Sequence, residues 1–151
     1  MPSQSSTTDS VALFAALADR TRLRLLNLLG GSEVCVCYLV EILGQSQAKV
    51  SRHLAYLRRA GIVAARREGK WIHYRIVPPP DKATQSILLA TQQIFAQDPE
   101  IQGDLCRMTS ACCAPEKFSS LRGAPRPLPT APGAAKASSP APSTSRRNQR
   151  I

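Results

Sequence analysis

The chain has 151 residues, enough for one domain with a substantial core, and carries a formal charge of +10 from 20 Lys and Arg against 10 Asp and Glu. No apolar run is long enough to span a bilayer, and the first ten residues lack the apolar stretch of a secretory signal, so a cytoplasmic protein with no membrane partner is expected. The charge is a weak pointer to nucleic acid, because residues 114–151 hold seven basic residues and one acidic residue while the rest of the chain is only +4.

Residues 1–10 read as a flexible N-terminus. Asp9 or Ser10 can cap a first helix with Leu13, Phe14 and Leu17 on its apolar face, and Asp19 can cap a second, which carries Leu25, Leu26 and Leu29 and ends at Gly30-Gly31. Val34 to Leu43 predicts a third helix, with Val36, Leu39, Val40 and Leu43 three and four residues apart, stopped by Gly44. Ser46 caps a fourth, which runs to about Ala60 with Val50, Leu54 and Leu57 inward. Two β-rich runs, Ile62 to Arg67 and Trp71 to Val77, meet at Glu68-Gly69-Lys70 and predict a hairpin. A fifth helix is expected from Asp81 to Gln97, with Ile87, Leu88, Thr91, Ile94 and Phe95 along one side, and a last short one from Pro99 to Met108. From Ala114 onward, seven of the 12 prolines accompany Ala, Ser, Thr and Arg, so residues 114–151 are expected to be a disordered basic tail.

Four helices, a hairpin and a further helix predict a mainly α winged helix-turn-helix domain over residues 11–113. The third helix, the turn and the fourth helix form the reading unit. The start of its second helix enters the major groove, which makes Gln47, Ser51 and Arg52 candidates for base edges, Lys49 and His53 candidates for phosphates, and places Tyr56 on the flank. Arg58 and Arg59 fall too far along the helix for base reading. Arg66, Arg67, Lys70 and Arg75 surround the hairpin tip, where Arg67 and Lys70 can meet the backbone of double-stranded DNA. One such domain makes few contacts, so a homodimer on inverted half-sites, paired through the first and fifth helices, is expected.

The segments ALADRTRLRLLNLL at 16–29, EVCVCYLVEIL at 33–43, QSQAKVSRHLAYLRRAGIV at 45–63 and REGKWIHYRI at 67–76 together resemble the ArsR (ArsR/SmtB) family of metal-responsive repressors. The recognition helix and wing are most similar to its arsenic-sensing branch. The resemblance implies a cytoplasmic homodimer that represses a resistance operon and leaves its operator when an inducer binds. It also implies a cysteine site at the first helix of the reading unit. Cys35 and Cys37 match that pattern, whereas its third position is Val40.

Five cysteines, an odd number, without an export signal favour reduced thiols over disulfides. Soft thiolates suit trivalent arsenic or antimony, and two sets offer themselves: Cys35 with Cys37, and Cys106 with Cys112 and Cys113. In a regular helix Cys35 and Cys37 point about 200° apart, so they share one ligand atom only if the helix has not begun there or unwinds. The C-terminal three, in a segment read as flexible, supply the full count of sulfurs and rank slightly ahead as the inducer site. A mixed site remains open at this point, as do a cadmium, lead or zinc sensor and a thiol-redox sensor of the same fold. His53 and His73 offer no rival metal site. No phosphate-binding glycine loop and no paired nucleophile and base are present in the sequence, so no enzyme and no catalytic cofactor are expected.

Overall fold

Five of the six α-helices among the described residues begin where a side-chain oxygen caps them. The computed structural model describes residues 8–130. Asp9 caps α1 (Ser10–Leu17), Asp19 caps α2 (Arg20–Leu28), and Ser46 caps α4 (Gln47–Arg59). Asp81 caps α5 (Lys82–Phe95) and Asp98 caps α6 (Pro99–Cys113). Each oxygen accepts from amides of the first turn that have no partner within the helix. The exception is α3 (Val36–Leu43), whose N-cap is Cys35 and makes no side-chain capping bond.

The expected helix from Val34 is therefore two residues too long. Ser32–Cys35 is a strand, β1, and the helix starts after it. The reason is pairing at a distance: β1 lies antiparallel to β3 (Trp71–Ile76), with Val34 opposite Tyr74 and Cys35 opposite His73. The hairpin itself is as expected, β2 (Val63–Glu68) with β3, turning at Gly69, whose φ of 58° lies in the left-handed region. The wing is thus part of a sheet, ordered β2-β3-β1-β4, rather than an isolated hairpin.

The fourth strand corrects the tail. β4 (Leu128–Pro129) pairs with Ser32 and Glu33, two short 3₁₀ turns cover Pro115–Lys117 and Ser119–Leu121, and Leu121 is buried in the core. Residues 114–130 are therefore packed structure rather than the start of a disordered tail; the remainder of that expectation, 131–151, and residues 1–7 of the expected flexible N-terminus lie outside the described residues. The expected short last helix is also longer, reaching Cys113, because Ile101, Met108 and Ala111 bury one face of α6.

A single core joins Leu13, Ala16, Leu25, Leu29, Leu39, Val50, Leu54, Leu57 and Val63 to α6. Phe14 and Ile94, expected on the apolar faces of the first and fifth helices, are well exposed in the single chain, together with Val11 and Leu89. Gly44, at φ 61°, makes the sharp turn between α3 and α4. Ion pairs tie α2 to α6: Arg24 donates from Nε and Nη2 to the fully buried Asp104 at 2.7 and 2.8 Å, and Arg20 grips Asp98 and Glu100.

Candidate DNA interface and thiol site

Burial of Val50, Leu54 and Leu57 orients α4, so Gln47, Lys49 and Arg52 are left exposed and Ser51 half-buried at the end that a helix-turn-helix presents to DNA. His53 is drawn inward: its Nδ1 sits 3.4 Å from Asp19 Oδ1. Tyr56 is half-buried, with the Arg22 guanidinium 4.1 Å from its ring centroid and that of Arg59 at 5.7 Å. Arg22 also donates to the carbonyls of Ala15 and Ala16 at 2.8 and 2.7 Å, satisfying the end of α1 while holding its charge in place. Arg22, Lys49, Arg52, His53, Tyr56 and Arg59 line one open groove. Arg22 had no local signature, since it reaches Tyr56 only through the packing of α2 on α4; Arg59 lies three residues from Tyr56, a spacing that could have flagged it.

On the wing, Arg67 and Lys70 are exposed at the tip. Lys70 lies 4.8 Å over the Trp71 ring, and Arg67 donates to the Gly69 carbonyl at 3.1 Å. Arg66 is already engaged by Glu33 and Glu68, and its guanidinium holds the Glu33 carboxyl below the usual range.

The thiols fall into unlike surroundings. Because β1 runs up to Cys35 and α3 begins one residue later, Cys35 and Cys37 are not two positions of a regular helix, and their sulfurs lie 2.7 Å apart. The geometric condition for sharing one ligand atom is met without unwinding. The Cys37 thiol donates to Cys35, which pulls the Cys35 thiol down to about 7 against the opposing effect of burial, with the Cys37 and Ile72 amides assisting. Cys37 is pushed up, first by giving its proton to that bond and then by burial. The pair sits at the start of α3, where the helix dipole favours negative charge.

The C-terminal three do not converge. They stand on one regular helix, so Cys112 and Cys113 diverge by about 100° and Cys106 lies about 10 Å further back along the axis. Cys106 and Cys113 are exposed, whereas Cys112 is half-buried and packs on the core. Burial, and then the neighbouring Cys113, raise its thiol pKa. Among the described residues, no group of three His, Cys, Asp or Glu side chains is arranged to hold a metal ion.

The model of the bacterial regulatory protein arsR family matches residues 19–65, from the cap of α2 into β2. The chain is similar to the arsenical resistance operon repressor of Escherichia coli, 52% identical over 69 residues, which are 45% of this chain and 59% of that protein. It is also 51% identical over 91 residues to the arsenic resistance transcriptional regulator ArsR1 of Pseudomonas putida, covering 57% of this chain and 71% of the relative. The chain belongs to the ArsR family. Among solved structures, HlyU of Vibrio cholerae superposes with a TM-score of 0.52 at 29% identity, over 64% of this chain and 99% of that one. This ArsR-family chain is accordingly a winged helix-turn-helix transcriptional regulator, with Cys35 and Cys37 at the first helix of its reading unit. No helix among its described residues is long and apolar enough to cross a membrane.

Proposed function

We propose that this ArsR-family repressor acts in the cytoplasm as a homodimer on inverted half-sites of an arsenic-resistance operator, and that it leaves the DNA when Cys35 and Cys37 bind trivalent arsenic or antimony. The observation that carries this reading is the 2.7 Å contact of the two sulfurs at the junction of β1 and α3, with one thiol already poised near neutrality. The names of the Escherichia coli and Pseudomonas putida relatives favour arsenic as the ligand.

Coupling follows from where the pair sits. Cys35 is paired to the wing through His73, and Cys37 stands in the first turn of α3, which packs against α4. A ligand joining both sulfurs sets the start of α3 relative to the wing, and thereby the two DNA-facing parts relative to each other. Whatever lowers operator affinity on binding must, by linkage, be bound less tightly by the DNA complex. Gln47, Ser51 and Arg52 would read bases, and Lys49, His53, Arg67 and Lys70 would meet phosphates, with Tyr56 holding Arg22 and Arg59 beside them. The exposed Val11, Phe14, Leu89 and Ile94 on α1 and α5 supply an apolar face for the second copy.

The test is release of operator DNA from the reduced protein, followed by fluorescence anisotropy, with arsenite, antimonite, cadmium and peroxide titrated separately. Arsenite and antimonite should release it, and the joint Cys35→Ser, Cys37→Ser variant should stay bound. Release by cadmium or peroxide with arsenite inert would favour the alternative sensors and overturn the reading.

A further inference from the structure

Two thiols leave trivalent arsenic one sulfur short, and the family position that would supply the third is Val40. α6 packs on α3, and it turns one of its three cysteines inward. That cysteine is Cys112. On α3, the Tyr38 hydroxyl is fully buried and has no hydrogen-bond partner among the described residues. An unpaired buried hydroxyl is costly, by about 1–3 kcal/mol, so its retention asks for an acceptor. Burial first, and then the nearby Cys112 and Cys37, push the phenol's pKa up.

We propose that Cys112 is the third sulfur ligand of trivalent arsenic in this chain, joining Cys35 and Cys37 across the α3–α6 contact, with the Tyr38 hydroxyl donating to a bound sulfur. The inference rests on the thiol-site reading above and deepens it. Three thiols replace the three hydroxyls of arsenous acid: three As–O bonds break, three As–S bonds form, and the thiol protons leave with the hydroxides as three waters. Arsenic stays trivalent, so no oxidant or reductant is needed. Closure requires the last turn of α6 to shift toward α3, against which α6 packs. That shift would draw on the chain after α6, whose β4 pairs with Ser32 and Glu33 immediately before Cys35. The exposed Cys106 and Cys113 take no part.

The experiment compares arsenite, which takes three thiols, with phenylarsine oxide, which takes two, on the reduced full chain. Binding is followed by sulfur–arsenic ultraviolet absorption and by counting thiols protected from a disulfide reagent, independently of DNA. Wild type should protect three thiols from arsenite. Cys112→Ser should protect two and lose at least about tenfold in arsenite affinity, because a tethered third donor acts at high effective concentration, while phenylarsine oxide affinity is unchanged. Cys106→Ser and Cys113→Ser should behave as wild type. Tyr38→Phe should bind arsenite several-fold more weakly without loss of folding stability. Equal arsenite affinity in wild type and Cys112→Ser, or an equal loss in Cys113→Ser, overturns the proposal. Arsenite held by three thiols without operator release would instead defeat the proposed function and leave this assignment standing.

Discussion

Replacing Asp104 with alanine removes both acceptors of the Arg24 fork, at 2.7 and 2.8 Å, from a position with no solvent exposure. Arg24 keeps 11% of its side-chain surface and one carboxylate oxygen, Glu100 Oε1 at 3.3 Å, so its charge is not wholly stranded. Breaking a buried pair from one side costs roughly 3–5 kcal/mol, and the residual partner places this one at the low end, about 3 kcal/mol. That is a large part of the 5–15 kcal/mol typical of a domain and corresponds to a fall in melting temperature of about 10 °C. Urea denaturation followed by circular dichroism gives the difference, with an unchanged slope showing that only the native state was affected. The comparison is Arg20→Ala, whose side chain is 52% exposed although it also grips two carboxylates. It should lose far less, since solvent screens an exposed pair. Removal of both Arg24 and Asp104, as Arg24→Met with Asp104→Leu, should recover much of the loss. Equal and small effects for Asp104→Ala and Arg20→Ala would refute the idea that this buried pair clamps α6 to α2.

Leu121→Ala should destabilise the protein by about 2–3 kcal/mol in the same assay, because Leu121 is 1% exposed and its removal leaves a cavity; a change near zero would mean that residues 114–130 do not pack as described. The thiolate ultraviolet absorption of Cys35 should rise as pH passes through about 7, since the thiolate forms on deprotonation and is lost below that value. Cys37→Ala should move that inflection upward by removing the donor, and an inflection already in the ordinary thiol range in wild type would contradict the effect of the Cys37–Cys35 hydrogen bond. Lys49→Ala should weaken operator binding for all sequences and lower the salt dependence by about one unit, whereas Arg52→Ala should cost about 1–3 kcal/mol and relax preference at one base position, both read from binding curves at several salt concentrations.

Helix caps and periodic apolar residues are local signals, and they were legible: Asp9, Asp19, Ser46 and Asp81 start the helices expected of them, and Val50, Leu54 and Leu57 face inward. The exposed face of α4 follows from the same periodicity, because burying one face of a helix leaves the other to solvent or a partner. What could not be read was whatever depends on residues far apart in the chain. Cys35 lies in a region whose spacing suits a helix, yet pairing with His73 makes it a strand residue, and that alone brings its sulfur to Cys37. Likewise the Pro-rich composition after Ala114 argues for disorder until Leu121 finds the core and Leu128 finds Glu33.

The residues alone determined a winged helix-turn-helix with its reading helix at 47–59 and its thiols in two groups, because those features repeat over a few residues and need no partner. Tertiary structure decided which thiols meet. It set the start of α3, extended α6 through Cys113 and packed Cys112 on the core, since strand pairing and the burial of Ile101, Met108 and Ala111 bring together positions that no local spacing connects.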